Sequence, residues 1–194
     1  MKNNIIWVDL DEVLAESIDQ VLKDNDWKIW DLIIDKKDIT NYYVHNIDGT
    51  NLDLHSAIDL FRQTFIKDID LCISPVLWAV EKLSMLKEKG YKIAIVTARN
   101  EDFDIYTEKW IEKHFPNLID SIHYCTDTND VSIPKSKVCL EHWITCFIED
   151  NYFYANDIAK AGIKTYLLEK PWNNFHDEYH ENIVKINTWE EFMK

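Results

Sequence analysis

Two aspartates follow the first apolar segment of the chain, at a spacing that could do chemistry. The stretch "NIIWV" is followed by Asp9 and, two residues later, by Asp11. Residues i and i+2 of an extended backbone lie on the same side, so the two carboxylates would repel each other unless a positive charge lay between them. A metal ion could supply that charge.

The chemistry that such a pair could perform is phosphoryl transfer. The carboxylate of Asp9 could attack phosphorus and form an acyl phosphate if a hard cation offset the charge of the substrate, and magnesium prefers oxygen ligands. Asp150, which follows another apolar segment, could complete the metal site. Asp11 is placed to protonate the leaving oxygen and then to deprotonate the hydrolytic water.

Candidate phosphate-binding residues lie in two places, directly after the apolar segment "YKIAIV" and before the later apolar segment "ITCFI". Thr97 offers a hydroxyl group, and the backbone N–H groups after it, at Ala98 and Arg99, could bind phosphate oxygens from the start of a helix. The side chain of Arg99 could clamp a phosphate or form a surface salt bridge. A lysine would spread the charge of the transition state, and the candidates are Lys135 and Lys137.

The sequence predicts strands and helices in alternation, which would bring these residues together. We expect strands at 4–8, 91–97, 121–125, 144–150 and 164–169. We expect helices at about 12–24, from Ser74-Pro75 to Gly90, at about 101–114, at about 135–142, and ending near Lys160. The alternation is typical of an α/β fold with a Rossmann-like parallel sheet and helices on both faces. Ligands of such sheets bind beyond the carboxyl ends of the strands, so Asp9, Thr97 and Asp150 would converge on one crevice.

The segment from about residue 25 to residue 74 has an irregular pattern. It contains one helical stretch, "LHSAIDLFRQTFI", and no strong pattern of a buried strand. We therefore predict a mainly helical insertion over residues 17–74 and a core formed by residues 1–16 and 75–194.

The balance of charge limits the partners of the protein. The 194 residues carry a formal net charge of −14, which repels nucleic-acid backbones and anionic membranes. A small anionic substrate would need a local metal, lysine or backbone amides. Four cysteines without metal-site spacing indicate buried free thiols in a reducing compartment, and no apolar run approaches 18 residues. We expect a cytoplasmic protein that binds neither long nucleic acids nor membranes.

Four of these segments, in order, resemble the motifs of the haloacid dehalogenase superfamily of phosphohydrolases. They are "WVDLDEVLA", "IAIVTAR", "PKSKVC" and "FIEDN". The resemblance implies that Asp9 is the nucleophile and Asp11 the acid/base. It also implies that Thr97 and Lys135 bind phosphate, and that Asp9, the backbone carbonyl of Asp11, and Asp150 bind Mg²⁺.

The chain departs from the family pattern at one position and leaves two roles open. Glu12 stands where the family often has glycine and adds local negative charge. Lys135 is preferred over Lys137 because its spacing to the acidic pair and the following "VC" resemble related nucleotidases. Glu149, the first residue of that pair, could be a metal ligand or a partner of the ligands.

The predicted insertion matches the position of the family's helical cap and resembles the small caps of the 5′-nucleotidase group, including the 5′(3′)-deoxyribonucleotidases. Its aromatic residues Trp27, Trp30, Tyr42 and Tyr43 could stack on a nucleobase, at about 1–3 kcal/mol for each good stack. The resemblance therefore implies a nucleoside monophosphate as substrate, with Trp30 and Tyr43 in contact with it. The alternatives are a phosphatase for a sugar phosphate or another small metabolite, a phosphotransferase, and a non-catalytic binding module.

Overall fold

A six-stranded sheet forms the centre of this computed structural model, which describes residues 4–29, 32–43, 46–47, 53–67, 72–126, 131–142, 144 and 146–194. The strands are β1 (Ile5–Val8), β2 (Lys28–Ile29), β3 (Leu32–Ile33), β4 (Lys92–Asn100), β5 (Ser121–Thr126), β6 (Cys146–Glu149), β7 (Lys164–Leu168) and β8 (Ile183–Ile186). The helices are α1 (Ser17–Asp24), α2 (Leu54–Lys67), α3 (Ala79–Glu88), α4 (Asp104–His114), α5 (Lys135–Glu141) and α6 (Tyr152–Lys160).

The sheet is parallel throughout, in the order β5-β4-β1-β6-β7-β8. β1 lies inside it, where Trp7 is opposite Ala94 of β4 and Phe147 of β6. Ile6, Trp7 and Val8 are at most 1% exposed, because both faces of the sheet are covered. β4 pairs with one side of β1 and β6 pairs with the other, so the carboxyl ends of these three strands are neighbours. The strand order changes direction here, at the kind of switch point where ligands of such sheets bind.

Helices pack on both faces of the sheet. On one face, Leu83 of α3 and Trp110 of α4 join a large apolar cluster with Ile95 of β4. On the other face, Cys139 of α5 and Ile158 of α6 pack in a second cluster. The predicted Rossmann-like α/β fold is confirmed. Within the described residues, no helix is both long and apolar enough to cross a membrane.

The predicted insertion has an apolar cluster of its own. Ile18 and Leu22 of α1 pack with Ile29 of β2, and Trp172 from the chain after β7 joins them. The prediction of a mainly helical segment was incomplete, because β2 and β3 form an antiparallel hairpin. Each strand of this hairpin is two residues long, too short to produce an alternating pattern in the sequence. The boundaries of the insertion stay a prediction.

Two predicted helix starts were wrong. The helix expected from about residue 12 begins at Ser17, because residues 12–14 form a turn in which Glu12 has a φ of 63°. The helix expected from Ser74-Pro75 begins at Ala79, because Pro75 pairs with Ala15 in an isolated bridge. Gly90 follows the C-cap of that helix with a φ of 82°, where a left-handed residue ends a helix.

Two parts of the sheet were also misjudged from the sequence. β4 runs to Asn100, three residues beyond the predicted end at Thr97, and β8 was not predicted at all. Its sequence, Ile-Val-Lys-Ile, is interrupted by a lysine, and only Ile186 is fully buried. β8 therefore lacks the continuous apolar run by which a buried strand is predicted. Beyond it, the indole N–H of Trp189 donates to the carbonyl of Val13 at 2.8 Å and fixes the loop that carries Asp11.

The four cysteines are thiols that form no disulfide, as predicted. Cys125, Cys139 and Cys146 are buried, whereas Cys72 is exposed and the prediction of burial was wrong for it.

Candidate active site

The carboxyl ends of β1, β4 and β6 gather most of the predicted site residues. Asp9 directly follows β1, and its N–H donates to the carbonyl of Ile148 at 3.0 Å, which extends the pairing with β6. Asp150 directly follows β6, and Thr97 lies in β4. Lys135 is the first residue of α5 and is brought to the same edge of the sheet.

The ammonium group of Lys135 bridges two carboxylates. Its Nζ lies 2.7 Å from Oδ1 of Asp9 and 2.8 Å from Oε2 of Glu149. Lys135 is only 3% exposed, and burial alone would lower its pKa, but Asp9 and Glu149 outweigh burial and raise it. Lys137 is exposed on the same helix. The structure thus brings Lys135, not Lys137, to the carboxylates.

Negative charge accumulates beside this lysine. Burial, and then the charge of Glu149, raise the pKa of Asp9 to about 8, although Lys135 opposes the shift. Burial together with the charges of Glu149 and Asp9 raises the pKa of Asp150 well above its usual value. One ammonium group does not balance the negative charge of three carboxylates, so a bound cation would stabilise this cluster.

The donor set fits a hard divalent cation such as Mg²⁺. Carboxylate oxygens of Asp9, Glu149 and Asp150 lie within 4.8 Å of one another. Glu149 already accepts from Lys135 and, through Oε1, from the backbone N–H groups of Asp150 and Asn151 at 3.2 and 3.1 Å. Both carboxylate oxygens of Glu149 thus have partners, which suits a residue that orients Lys135, and Asp9 and Asp150 are the carboxylates that could hold the ion.

The side chain and backbone of Asp150 are fixed by two residues that the sequence analysis missed. Trp172 donates its indole N–H to Oδ2 of Asp150 at 2.8 Å. Asn173 donates through Nδ2 to the carbonyls of Asp150 and Leu168 at 2.7 and 2.8 Å. Neither residue has a spacing to the acidic motif that could have identified it.

Asp11 is held by Arg99. Nε and one Nη of Arg99 lie 2.9 and 2.7 Å from the two oxygens of the Asp11 carboxylate, and the hydroxyl of Ser17 donates to the same carboxylate. Burial would raise the pKa of Asp11, but the guanidinium group of Arg99 outweighs it and lowers that pKa. In the free protein Asp11 is therefore a carboxylate, the form that accepts a proton.

The hydrogen bonds around Thr97 differ from the predicted phosphate cradle. The backbone N–H of Arg99 donates to the Thr97 hydroxyl at 3.1 Å, and residues 97–100 continue the strand instead of starting a helix. The predicted phosphate contacts of Arg99 conflict with these bonds, since its backbone N–H and its side chain both have other partners. Ala98 lines a cleft above the carboxyl ends of the strands.

A cleft of about 580 Å³ opens above the strand ends. Asp11, Arg99 and Asp150 line it on the side of the sheet. On the side of the insertion its wall is mostly apolar and aromatic, and includes Tyr42, Tyr43, Leu54, Ile58, Phe61 and Phe65. Trp27 is not among the lining residues, and Trp30 lies outside the described residues.

A second cavity of about 330 Å³ adjoins the first beside Lys135, and Ala98, Ser132 and Tyr154 line both. The ring centroid of Tyr154 lies 4.8 Å from the Lys135 ammonium. Tyr154 was not predicted as a site residue, although it lies in the first turn of the helix that follows Asp150 and therefore at the same end of the sheet.

Glu12 does not leave an unbalanced charge beside the aspartates. Its Oε1 accepts from the backbone N–H of Ile18 at 2.7 Å, and its Oε2 lies 2.8 Å from the ammonium of Lys36. Lys36 comes from the predicted insertion, so this ion pair joins the insertion to the loop after β1.

Comparisons with known proteins agree with this fold. No family profile matches the chain. A nucleotidase from Clostridium acetobutylicum is 28% identical over 159 residues, which cover 81% of this chain and 76% of the relative. A predicted phosphatase of known structure, also from Clostridium acetobutylicum, superposes with a TM-score of 0.63 at 16% identity, over 87% of this chain and 85% of the other.

A second solved structure is a hydrolase of the haloacid dehalogenase-like family from Streptococcus pneumoniae. It superposes with a TM-score of 0.62 at 14% identity, over 87% of this chain and 85% of the other. At such identities a structural likeness shows the fold. With this fold and with the four motifs in order, the chain resembles the phosphohydrolases of the haloacid dehalogenase superfamily, and a nucleotidase is among the proteins similar to it.

Proposed function

We propose that the protein is a magnesium-dependent phosphomonoesterase that works through an aspartyl phosphate on Asp9, with nucleoside monophosphates as substrates. The observation that carries the proposal is the position of Lys135. It lies 2.7 Å from a buried carboxylate that is also part of a cluster suited to a divalent cation. The nucleophile, an ammonium group that can bind the phosphate, and a cation site would thus lie together at the carboxyl ends of the strands.

In the first step, an Asp9 oxygen forms a bond to phosphorus while the ester oxygen leaves with its electron pair and takes a proton from Asp11. In the second step, water attacks the phosphorus of the aspartyl phosphate and gives a proton to Asp11, which releases inorganic phosphate and restores Asp9. Because Asp11 is ionised in the free protein, it must gain its proton as the substrate binds.

Lys135 has two partners among the described residues, Asp9 and Glu149, so one of its three N–H donors is left for a phosphate oxygen. Asp9, Asp150 and the backbone carbonyl of Asp11 would hold Mg²⁺, which would neutralise the phosphate charge as Asp9 approaches. Glu149 would hold the ammonium group of Lys135 in contact with both Asp9 and the phosphate.

The aromatic wall of the cleft supports a nucleoside as the leaving group. Tyr42, Tyr43 and Phe61 offer flat surfaces on which a base could stack, and a sugar without a base would leave this wall uncovered. The name of the nucleotidase relative points the same way. The net charge of −14 opposes a long nucleic acid as substrate.

The proposal is tested by phosphate release from nucleoside 5′- and 3′-monophosphates and from sugar phosphates, with Mg²⁺ or with EDTA. We expect release from the nucleotides that requires Mg²⁺ and falls at least about 1,000-fold in Asp9→Asn, which keeps the shape of the side chain but not its nucleophilic charge. Asp177→Asn, an exposed change outside the cleft, is the control and should act like wild type.

Different results would overturn different parts of the proposal. Release from sugar phosphates alone would refute the nucleotide substrate but keep the mechanism. Activity in EDTA, or full activity in Asp9→Asn, would refute the mechanism. Nucleotide binding without release from any substrate would indicate a binding module.

A further inference from the structure

We propose that Arg99 is a positioning residue that aims the carboxylate of Asp11 at the leaving oxygen, an inference that rests on the proposed function. The guanidinium fork meets both carboxylate oxygens, at 2.9 and 2.7 Å. A bidentate pair fixes the plane of a carboxylate as well as its position, which a single hydrogen bond does not. The sequence left this side chain open between a phosphate clamp and a surface salt bridge.

The donors of Arg99 are nearly all in use. Nε and Nη2 donate to Asp11, Nη2 also donates to the hydroxyl of Ser17 at 3.4 Å, and Nη1 donates to the hydroxyl of Thr107 at 3.1 Å. Four of the five N–H groups of the side chain are thus accounted for. Among the described residues, one Nη1–H is left for another partner, so a phosphate could meet Arg99 through a single hydrogen bond but not through the fork. We therefore assign the fork to Asp11 and not to the phosphate.

Arg99 itself is held rigidly. It is only 7% exposed, Thr107 of α4 is fully buried, and the guanidinium carbon lies 3.9 Å from the ring centroid of Phe65 of α2. A group locked by packing and by hydrogen bonds can hold a second group within the narrow tolerance that proton transfer requires. Ser17 supports the same carboxylate from the first turn of α1.

The chemical role of Asp11 gives this proposal a specific test. A proton from Asp11 matters when the leaving oxygen is strongly basic, as in a nucleoside, and matters little when the leaving group is a weakly basic nitrophenolate. A misplaced Asp11 should therefore slow the first step with a nucleotide and spare the first step with a nitrophenyl ester. The second step is the same for both substrates and does not enter kcat/KM, so kcat/KM is the quantity to compare. A general loss of folding or of phosphate binding would slow both.

The experiment compares kcat and KM of wild type and Arg99→Lys on a nucleoside monophosphate and on p-nitrophenyl phosphate. Lysine keeps the charge but not the fork. We expect kcat/KM on the nucleotide to fall about 10- to 100-fold and kcat/KM on p-nitrophenyl phosphate to fall less than about 3-fold. Asp11→Asn should show the same contrast, more strongly. An equal fall on both substrates, or no fall on either, would overturn the proposal.

A second variant covers the case in which Arg99→Lys does not fold. Thr107→Val removes only the hydroxyl at the far end of Arg99, on a residue that does not line the cleft. It should reproduce the contrast between the two substrates on a smaller scale, about 2- to 5-fold. If the ratio of kcat/KM on the nucleotide to kcat/KM on p-nitrophenyl phosphate were the same for wild type and Thr107→Val, the proposal would be wrong.

A measurement without turnover separates this inference from the proposed function. In crystal structures of Arg99→Lys or Thr107→Val, we expect Asp11 to adopt a different rotamer or more than one. A single, unchanged rotamer of Asp11 would refute the positioning role even if the protein is a phosphatase. Altered rotamers in a protein that hydrolyses no phosphate ester would support the positioning role and refute the activity.

Discussion

Lys135 shows how an ammonium group can be kept charged in a protein interior. Two carboxylates contact its Nζ, and two aromatic rings face it, Tyr154 with its centroid at 4.8 Å and Phe147 at 5.9 Å. The negative face of an aromatic ring attracts a cation without offering a hydrogen bond. The rings therefore stabilise the charge of Lys135 and do not compete with a phosphate for its remaining N–H.

The ring of Tyr154, not its hydroxyl, should matter for activity. We expect Tyr154→Phe to keep most of the wild-type kcat on a nucleoside monophosphate, and Tyr154→Leu to lower it about 2- to 30-fold, since a cation–π contact contributes about 0.5–2 kcal/mol. Steady-state kinetics of the three proteins would show this. If Tyr154→Phe lost as much activity as Tyr154→Leu, the hydroxyl would be the important group.

Individual site residues could be predicted where their position in a strand determines their neighbours. Asp9 and Asp150 end strands, and the carboxyl ends of adjacent parallel strands must meet. The partner of Arg99 could not be predicted, because Asp11 lies far away in the sequence and the pairing depends on side-chain packing. The bonds from Trp172 and Asn173 to Asp150 depend on tertiary structure in the same way.

At the scale of elements, the strands with continuous apolar runs were predicted well and the others were not. β4 and β6 are buried on both faces, whereas β8 exposes two of its four residues and β2 and β3 are very short. The predicted starts of two helices were wrong for a different reason. Pro75 and Glu12 carry the residue types of a first turn, but Pro75 forms a bridge with the distant Ala15, and Glu12 lies in a turn with a φ of 63°.

The junction between α4 and β5 has a polar anchor that allows a test of stability. Asp120 donates its backbone N–H to the carbonyl of Ile93, and its carboxylate accepts from the N–H of Ile93 at 2.7 Å and from Lys87 at 2.8 Å. Burial would raise the pKa of Asp120, but these bonds outweigh it and lower that pKa. The ionised carboxylate is thus the form that stabilises the fold.

Asp120→Asn should therefore lower the free energy of unfolding by about 0.5–1.5 kcal/mol at pH 7. A carboxyl group with a lowered pKa stabilises the fold at pH values above its unfolded pKa, about 3.9, and that contribution is lost as the pH falls through the still lower folded value. In urea unfolding, the difference in the free energy of unfolding between wild type and Asp120→Asn should be constant from pH 7 to pH 5 and should become smaller below about pH 4. A difference that widened in acid would contradict this assignment.

At the scale of the whole molecule, three of the four cysteines belong to the apolar layers around the sheet. Burial raises the pKa of Cys125 to about 11, and the pKa values of Cys139 and Cys146 to about 12. A thiol reacts as its thiolate, so these groups are protected both by their surroundings and by their protonation. Cys72 is exposed, before the start of α3.

A thiol reagent such as dithiobisnitrobenzoate at pH 8 should therefore modify one cysteine rapidly in the native protein and all four in guanidinium chloride. Cys72→Ser is the matched variant, and its native form should show no rapid reaction. Rapid modification of two or more thiols in the native protein would mean that the layers on the sheet open readily.

The place of β1 inside the sheet determines when the site can form as the chain is made. Ile6 pairs with Ile93 on one side and with Cys146 on the other, so the first strand must wait for partners that the ribosome delivers much later. Such distant pairings make folding slow, because long loops must close before any contact stabilises them. A nascent chain that has not yet reached β6 lacks the strand that positions Asp9, so Asp9, Lys135 and the acidic pair become aligned together in one late step.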